Sequence, residues 1–108
     1  MKRGDIVTIA TQGDYGKPRP AIIIQSDRLQ LTKSVMVCPM TGAEVDSPLV
    51  RLMIPPVPVT GLRIASFAMG EKLTAVRREK CGPVIGRLPD ELVLALDEML
   101  AVVMGLAD

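Results

Sequence analysis

The chain has 108 residues, of which 13 are lysine or arginine and 12 are aspartate or glutamate, so its formal net charge is only +1. Histidine is absent, which excludes Ser-His-Asp triads, Cys-His pairs, histidine general bases and histidine-ligated zinc. Any catalysis must therefore depend on arginine, lysine, carboxylate, hydroxyl or backbone groups. The length suits a single domain over residues 1–108, and 48% hydrophobic against 2% aromatic residues predicts an aliphatic core.

Neither the cysteines nor the chain ends indicate a metal site or a membrane segment. Cys38 and Cys81 lack the spacing of metal ligands, and we expect both to be reduced and structural. The cationic start Met1–Arg3 leads into a Gly-Asp turn, and not into an apolar leader. The apolar stretch 92–106 is interrupted by carboxylates and is shorter than the roughly 20 residues of a membrane span. These features predict a cytoplasmic protein.

The charges are unevenly distributed along the chain. Residues 1–80 carry 12 Lys and Arg against 7 Asp and Glu, whereas residues 81–108 carry 1 against 5. The basic part suits a polyanionic partner, and the acidic end suits a packing helix with a narrow solvated stripe.

The first half of the chain predicts strands separated by polar turns. The second of them is almost continuously apolar, which predicts a strand buried on both faces. A glycine-rich loop, 11–18, precedes it, and Pro39 marks the end or the edge of the third. The predicted strands are Ile6–Ala10, Ala21–Gln25, Ser34–Met40 and Leu49–Ile54.

The second half is less regular until its end. Residues 62–69 and 72–76 have weaker strand character, with a bend at Gly70, and the charged run 77–80 is expected to be solvated. A helix is predicted from Pro89 to about Gly105, with carboxylates in its first turn. Its apolar face is wider than one sheet needs, and packing against a partner subunit or within the monomer both remain open. The pattern predicts a mainly β fold with a C-terminal helix, as an antiparallel sheet or small barrel.

Arg19 stands between Pro18 and Pro20 at the start of the second strand. Both prolines restrict the backbone around it, which suits a guanidinium held in place for phosphate. The alternative is a surface arginine at a strand end.

Three groups of motifs resemble the MazF/PemK family of toxin endoribonucleases. They are Arg3-Gly4-Asp5-Ile6-Val7 with Arg19-Pro20-Ala21, then Val37-Cys38-Pro39-Met40-Thr41, then Gly61-Leu62, Glu71-Lys72-Leu73 and Ile85-Gly86-Arg87-Leu88. The resemblance implies an SH3-like antiparallel β-barrel of the MazF/CcdB type that forms homodimers. It also implies metal-independent, sequence-specific cleavage of single-stranded RNA without a cofactor, by attack of a 2′-hydroxyl on the adjacent phosphate. A cognate antitoxin whose extended acidic tail blocks the RNA groove is implied as well.

The same resemblance implies roles for individual residues. Arg19 matches the family's essential arginine and Thr41 its catalytic hydroxyl residue. Asp14, Tyr15, Lys17, Glu71 and Lys72 are candidates for contact with RNA. Arginine stays protonated at neutral pH and is a poor base, so Asp14, Glu71 and Lys72 remain candidates for assisting proton removal.

Alternatives remain for several of these residues and for the whole chain. Thr41 also suits a turn in which its hydroxyl bonds the backbone, and Tyr15 suits either base stacking or a cover over apolar surface. Some members place a histidine in the site, which this chain lacks, and Gly70-Glu71-Lys72 does not reproduce the Arg-x-Asp arrangement of one branch. A non-catalytic toxin of the same fold, similar to the CcdB gyrase poisons, is the rival function, although the end Gly105–Asp108 does not resemble theirs.

Overall fold

The structure is a computed structural model that describes residues 1–10, 17–47 and 49–107. In these ranges the chain forms seven strands and one α-helix. Short 3₁₀ turns at Gly70–Lys72 and Arg78–Lys80 separate the later strands. The elements are β1 (Asp5–Ile9), β2 (Arg19–Ile23), β3 (Ser34–Thr41), β4 (Arg51–Ile54), β5 (Ser66–Met69), β6 (Thr74–Arg77), β7 (Cys81–Arg87) and α1 (Asp90–Val103).

Every strand pairing in the described residues is antiparallel. The strand order is β4-β5-β3-β2-β1-β7, and β6 pairs with the first half of β3. A mainly antiparallel sheet with one C-terminal helix is therefore confirmed. In the described part of the chain β4 and β7 are the two ends of this path, so the closed barrel stays a prediction.

The sheet separates two apolar clusters. Ile6, Ile22 and Cys38 lie on the face covered by α1, whereas Val7 and Ala21 belong to a second cluster on the other face. The residues alternate between the clusters because successive side chains of a strand point to opposite faces. The prediction that the second strand is buried on both faces is confirmed, since Ala21, Ile22 and Ile23 are all buried.

The two cysteines are free thiols, as expected. Cys38 is fully buried in the cluster beneath α1, and this burial raises the pKa of its thiol from 9.0 to about 12. Cys81 is half-buried, and burial raises the pKa of its thiol as well. Cys38 thus packs as a small apolar residue.

Strand β7 was missed by the sequence prediction. Gly82, Pro83 and Gly86 interrupt its pattern, and such residues weaken or break most strands. Here they are tolerated because, among the residues that the structure describes, β7 pairs with β1 alone, with register shifts on either side of Val7. A side chain at Gly86 would overlap the carbonyl of Thr60, so glycine at this position allows β7 to lie close to the backbone of Thr60.

A bend and a charged run were predicted in the second half of the chain. Gly70 is buried and begins a 3₁₀ turn whose other two residues are exposed, in agreement with the predicted bend. In the charged run 77–80, Arg77, Glu79 and Lys80 are exposed as expected. Arg78 is instead half-buried and donates from its guanidinium to the carbonyl oxygens of Thr32 and Leu29. It therefore fixes the loop before β3.

Helix α1 covers one face of the sheet and runs to Val103, two residues short of the predicted end. Leu96, Met99 and Leu100 are buried, and the four carboxylates at 90, 91, 97 and 98 are exposed, in agreement with the predicted solvated stripe. Oδ1 of Asp97 forms a salt bridge of 2.7 Å with an Nη of Arg3, and this pair connects the helix to the first residues of the chain. No helix in the described ranges combines the length and apolar character that crossing a membrane requires.

Candidate active site

A cavity of about 220 Å³ gathers Arg19, Thr41 and Lys72 at one end of the sheet. Arg19 begins β2, Thr41 ends β3, and Lys72 closes the 3₁₀ turn after β5. Its apolar lining includes Met40 and Met69. The structure thus brings together both predicted catalytic residues and one of the predicted RNA contacts.

Strand register explains why Arg19 and Thr41 meet. Ala21 lies opposite Pro39 in the antiparallel β2–β3 pair. Two residues before Ala21 is Arg19, and two residues after Pro39 is Thr41, so the two are level on the same face of the sheet. Pairing of Arg19 with Ile9 on the other side fixes the backbone of the arginine.

The Thr41 side chain has a backbone partner. Its hydroxyl oxygen accepts a hydrogen bond of 3.2 Å from the Ala43 amide, which is the turn role weighed in the sequence analysis. A hydroxyl that accepts one bond still has a proton to donate. The turn bond therefore orients the hydroxyl without using its donor.

The Glu71 carboxylate is engaged by Arg51. Nε of Arg51 lies 3.0 and 2.9 Å from the two carboxylate oxygens, and an Nη lies 2.7 Å from one of them. These hydrogen bonds hold the pKa of Glu71 below its usual value of 4.5. Glu71 is therefore a weaker base than an ordinary glutamate.

The other predicted RNA contacts lie outside the cavity or outside the described residues. Lys17 is exposed two residues before Arg19 and does not line the cavity. Asp14 and Tyr15 lie outside the described residues.

A larger cavity of about 560 Å³ adjoins the first and shares Arg19 and Met40 with it. One wall is formed by residues 61–64, which include the exposed Arg63. In the described part of the chain the Arg63 side chain makes no hydrogen bond or ion pair. Sequence reasoning did not identify this residue; its only signal was a cation directly after Gly61-Leu62.

Thr60 organises the turn that carries this wall. Its hydroxyl, fully buried, lies 2.8 Å from the Pro55 carbonyl oxygen and 3.0 Å from that of Val57. It also accepts from the amides of Val57 and Leu62, at 3.2 and 3.4 Å. The turn is therefore held by its own side chain, and the Val59 carbonyl joins it to β7 through the Arg87 amide.

The chain matches the family described as PemK-like, MazF-like toxin of type II toxin-antitoxin system over residues 2–104. It is 45% identical over 108 residues to the probable endoribonuclease MazF of Mycolicibacterium smegmatis, and the match covers 99% of each chain.

Solved structures share the fold at lower sequence identity. An endoribonuclease in complex with its cognate antitoxin from Mycobacterial species superimposes with a TM-score of 0.82 at 17% identity, over 98% of this chain and 96% of that one. Mycobacterium tuberculosis toxin MazF-mt6 gives a TM-score of 0.81 at 20% identity, over 94% and 96%. A MazE-MazF structure from Deinococcus radiodurans gives 0.77 at 15% identity, over 97% and 95%.

Proposed function

The chain belongs to the PemK-like, MazF-like toxin family of type II toxin-antitoxin systems, and we propose that it cleaves single-stranded RNA without a metal ion. The observation that carries the proposal is the cavity in which Arg19, Thr41 and Lys72 converge. The relative at 45% identity is named an endoribonuclease. In the same proposal, residues 1–108 form one toxin domain with the SH3-like barrel of the family.

The proposed reaction is attack by a ribose 2′-oxygen on the adjacent phosphorus. The 2′-hydroxyl loses its proton, the O2′–P bond forms, and the P–O5′ bond breaks as the 5′-oxygen takes a proton. The products are a 2′,3′-cyclic phosphate and a 5′-hydroxyl. Negative charge grows on the non-bridging oxygens during the attack, so donors placed in advance around the phosphate lower the barrier.

In this reaction each residue of the cavity has a separate role. Arg19 donates to the non-bridging oxygens through its planar guanidinium. Thr41 donates its hydroxyl proton to the same phosphate, and Lys72 adds a second positive charge. Glu71 remains a candidate for contact with RNA, but its ion pair with Arg51 argues against proton removal by this carboxylate. The base is left unassigned.

Cleavage of a long single-stranded RNA in EDTA, followed by mapping of the ends, tests the proposal. Discrete cuts that leave 2′,3′-cyclic phosphates and 5′-hydroxyls are expected. Cleavage that requires added metal, or leaves 5′-phosphates, would contradict the chemistry. Intact RNA from folded protein would favour the rival, a gyrase poison similar to CcdB. The rival is not favoured, because the close relative is named an endoribonuclease.

We also propose that the toxin is a homodimer. Leu94 of α1 is 66% exposed, and Met104 and Leu106, which follow the helix, are 63% and 77% exposed. Apolar side chains in such numbers on one helix and its end suit burial against a second copy. Light scattering coupled to size exclusion measures the mass, and a monomer at micromolar concentration would contradict the dimer.

The partner proposed for inhibition is an antitoxin with an extended acidic tail. Structures with the same fold include complexes with an antitoxin. Carboxylates on such a tail would compete with RNA phosphates for Arg19 and Lys72, because both are anions that bind the same donors. Acidic peptides are therefore expected to inhibit cleavage competitively, and loss of inhibition at high salt should accompany loss of RNA binding.

A further inference from the structure

The two adjoining cavities differ in the chemical group that each fits. The smaller, about 220 Å³, falls below the range of about 300–1,000 Å³ of small-molecule sites, and the larger, about 560 Å³, lies within it. Because Arg19 lines both cavities, a phosphate bound to Arg19 would have the larger cavity next to it. The larger cavity therefore has the size and the position of a base-binding site.

The lining of the larger cavity suits a base more than a phosphate. Leu62, Ile64 and Ile85 supply apolar surface for the faces of a planar ring. Arg63 supplies the charged donor group at the same wall, and it is exposed. Thr8 and Ser66 add hydroxyl groups to the lining, and mostly apolar walls with a few polar groups are typical of sites that bind small planar ligands.

Over the described segments, most other arginines use their guanidinium groups in ion pairs or hydrogen bonds within the protein, whereas Arg63 does not. Arg3, Arg51 and Arg77 are each engaged by a carboxylate at 2.7 to 2.9 Å. Arg78 is engaged by backbone carbonyls. Within the described ranges the Arg63 guanidinium has no such partner, so its donors are available to a ligand in the cavity.

We propose that this cavity binds the base next to the cut phosphate and that Arg63 selects guanine there. The inference rests on the proposed function. Guanine presents two neighbouring acceptors, O6 and N7, which match the two donors of a guanidinium fork, whereas adenine presents a donor beside N7. In single-stranded RNA this edge is open to a protein side chain. Arg63 is thus a specificity-determining residue and does not act on the reacting atoms.

A rival role for Arg63 is a contact with the RNA backbone. A phosphate contact would weaken binding to all sequences uniformly and would reduce the salt dependence. A base contact would weaken cleavage only where guanine occupies the site. The two roles are therefore separated by sequence dependence.

The test compares wild type, Arg63→Ala and Arg63→Lys on a randomised single-stranded RNA pool, with cut sites read by sequencing. Arg28→Ala is the matched control, since Arg28 is an exposed arginine that lines neither cavity. Defined substrates carrying guanine, adenine or an abasic unit at the selected position give kcat/KM. Binding to the 2′-O-methyl form of the guanine oligonucleotide is measured in parallel, because that form cannot be cut.

Wild type is expected to enrich guanine next to the cut. Arg63→Ala should lose about 5- to 150-fold in kcat/KM on the guanine substrate and little on the abasic one, and Arg63→Lys should restore only part. Unchanged cut sites, or an equal loss on all substrates, would overturn the inference. If wild type cuts nothing, the proposed function fails; Arg63 is then judged by binding, where a guanine-selective loss in Arg63→Ala would still support the inference and an unselective result would overturn it.

Discussion

Arg51 binds both oxygens of the Glu71 carboxylate at the edge of the candidate site, with its three contacts between 2.7 and 3.0 Å. Arg51 begins β4 and Glu71 lies in the turn that follows β5, so the pair closes the open end of the β4–β5 hairpin next to Lys72. Its stabilising effect depends on ionised Glu71, which makes the pair testable by pH.

The first prediction concerns this pair. Glu71 has a lowered pKa in the folded state, so its contribution to stability is present above the unfolded pKa of about 4.5 and is lost as pH falls through the folded value. Because the carboxylate is partly exposed, the contribution should not exceed about 1 kcal/mol. Unfolding followed between pH 7 and pH 3 should therefore show a smaller loss of stability in Glu71→Gln than in wild type.

The same variant tests the catalytic role of the glutamate. A general base contributes at least about 100-fold, so Glu71→Gln should lose less than that in cleavage rate. A larger loss, with the fold intact, would assign Glu71 to proton removal after all.

Arg19→Ala should lower the cleavage rate by about 100- to 1,000-fold, because one donor to the developing charge is removed. Single-turnover rates on a defined RNA measure the effect, and circular dichroism checks the fold. Arg28→Ala is the matched control for charge. Wild-type rates in Arg19→Ala would remove this arginine from the mechanism.

Thr41→Val keeps the shape of the side chain and removes the hydroxyl. We expect a loss of about 100-fold in rate, comparable to that of other single donors to an oxyanion. Stability should fall by only about 1 kcal/mol, since the bond from the Ala43 amide is lost.

Thr41→Ser retains the hydroxyl and serves as the control for this position. It should keep most of the activity. If Thr41→Val cleaves RNA as fast as Thr41→Ser does, the hydroxyl acts only in the turn.

Gly61 and Gly4 form a matched pair for backbone strain. Both have positive φ, +68° and +91°, and alanine in this region costs about 1–2 kcal/mol. A side chain at Gly4 meets only ordinary contacts, whereas one at Gly61 would overlap the carbonyl of Ile85. Chemical denaturation should therefore show a larger loss of stability in Gly61→Ala than in Gly4→Ala, and equal losses would show that the turn yields.

The Cys38 thiol should be inert in the folded protein. A pKa raised from 9.0 to about 12 alone reduces the reactive thiolate about 1,000-fold, and burial hinders access further. In a Cys81→Ser background, labelling with a thiol reagent should be slow in buffer and fast in denaturant. Rapid labelling of the native protein would mean that the sheet opens beneath α1.

Sequence alone predicted those elements whose residues form consistent local patterns. The β-branched run from Ile6 and the apolar run from Ala21 are examples, and both are strands within two residues of the predicted bounds. Strand β7 was not predicted because Gly82 and Gly86 lower strand propensity. Its pairing with β1 also depends on residues that are far apart in the chain.

The candidate site was predictable only in part, for a similar reason. Family resemblance paired Arg19 with Thr41, and the strand register brings them level. By contrast, the Arg51–Glu71 pair and the cavity that Arg63 and Arg19 both line arise from tertiary packing. Local pattern holds no information about contacts between segments so distant in sequence.

The self-contained hydrogen bonding of Thr60 has a consequence for divergence among toxins of this kind. Because the turn is fixed by Pro55, Val57 and Leu62 backbone groups, the exposed side chains of Arg63 and Ile64 contribute little to holding it, whereas that of Leu62 packs against the core. Exchange of Arg63 and Ile64 should therefore change which RNAs are cut while the sheet and the phosphate site stay as they are. A toxin of this fold would then reach new cellular targets through changes confined to one short turn.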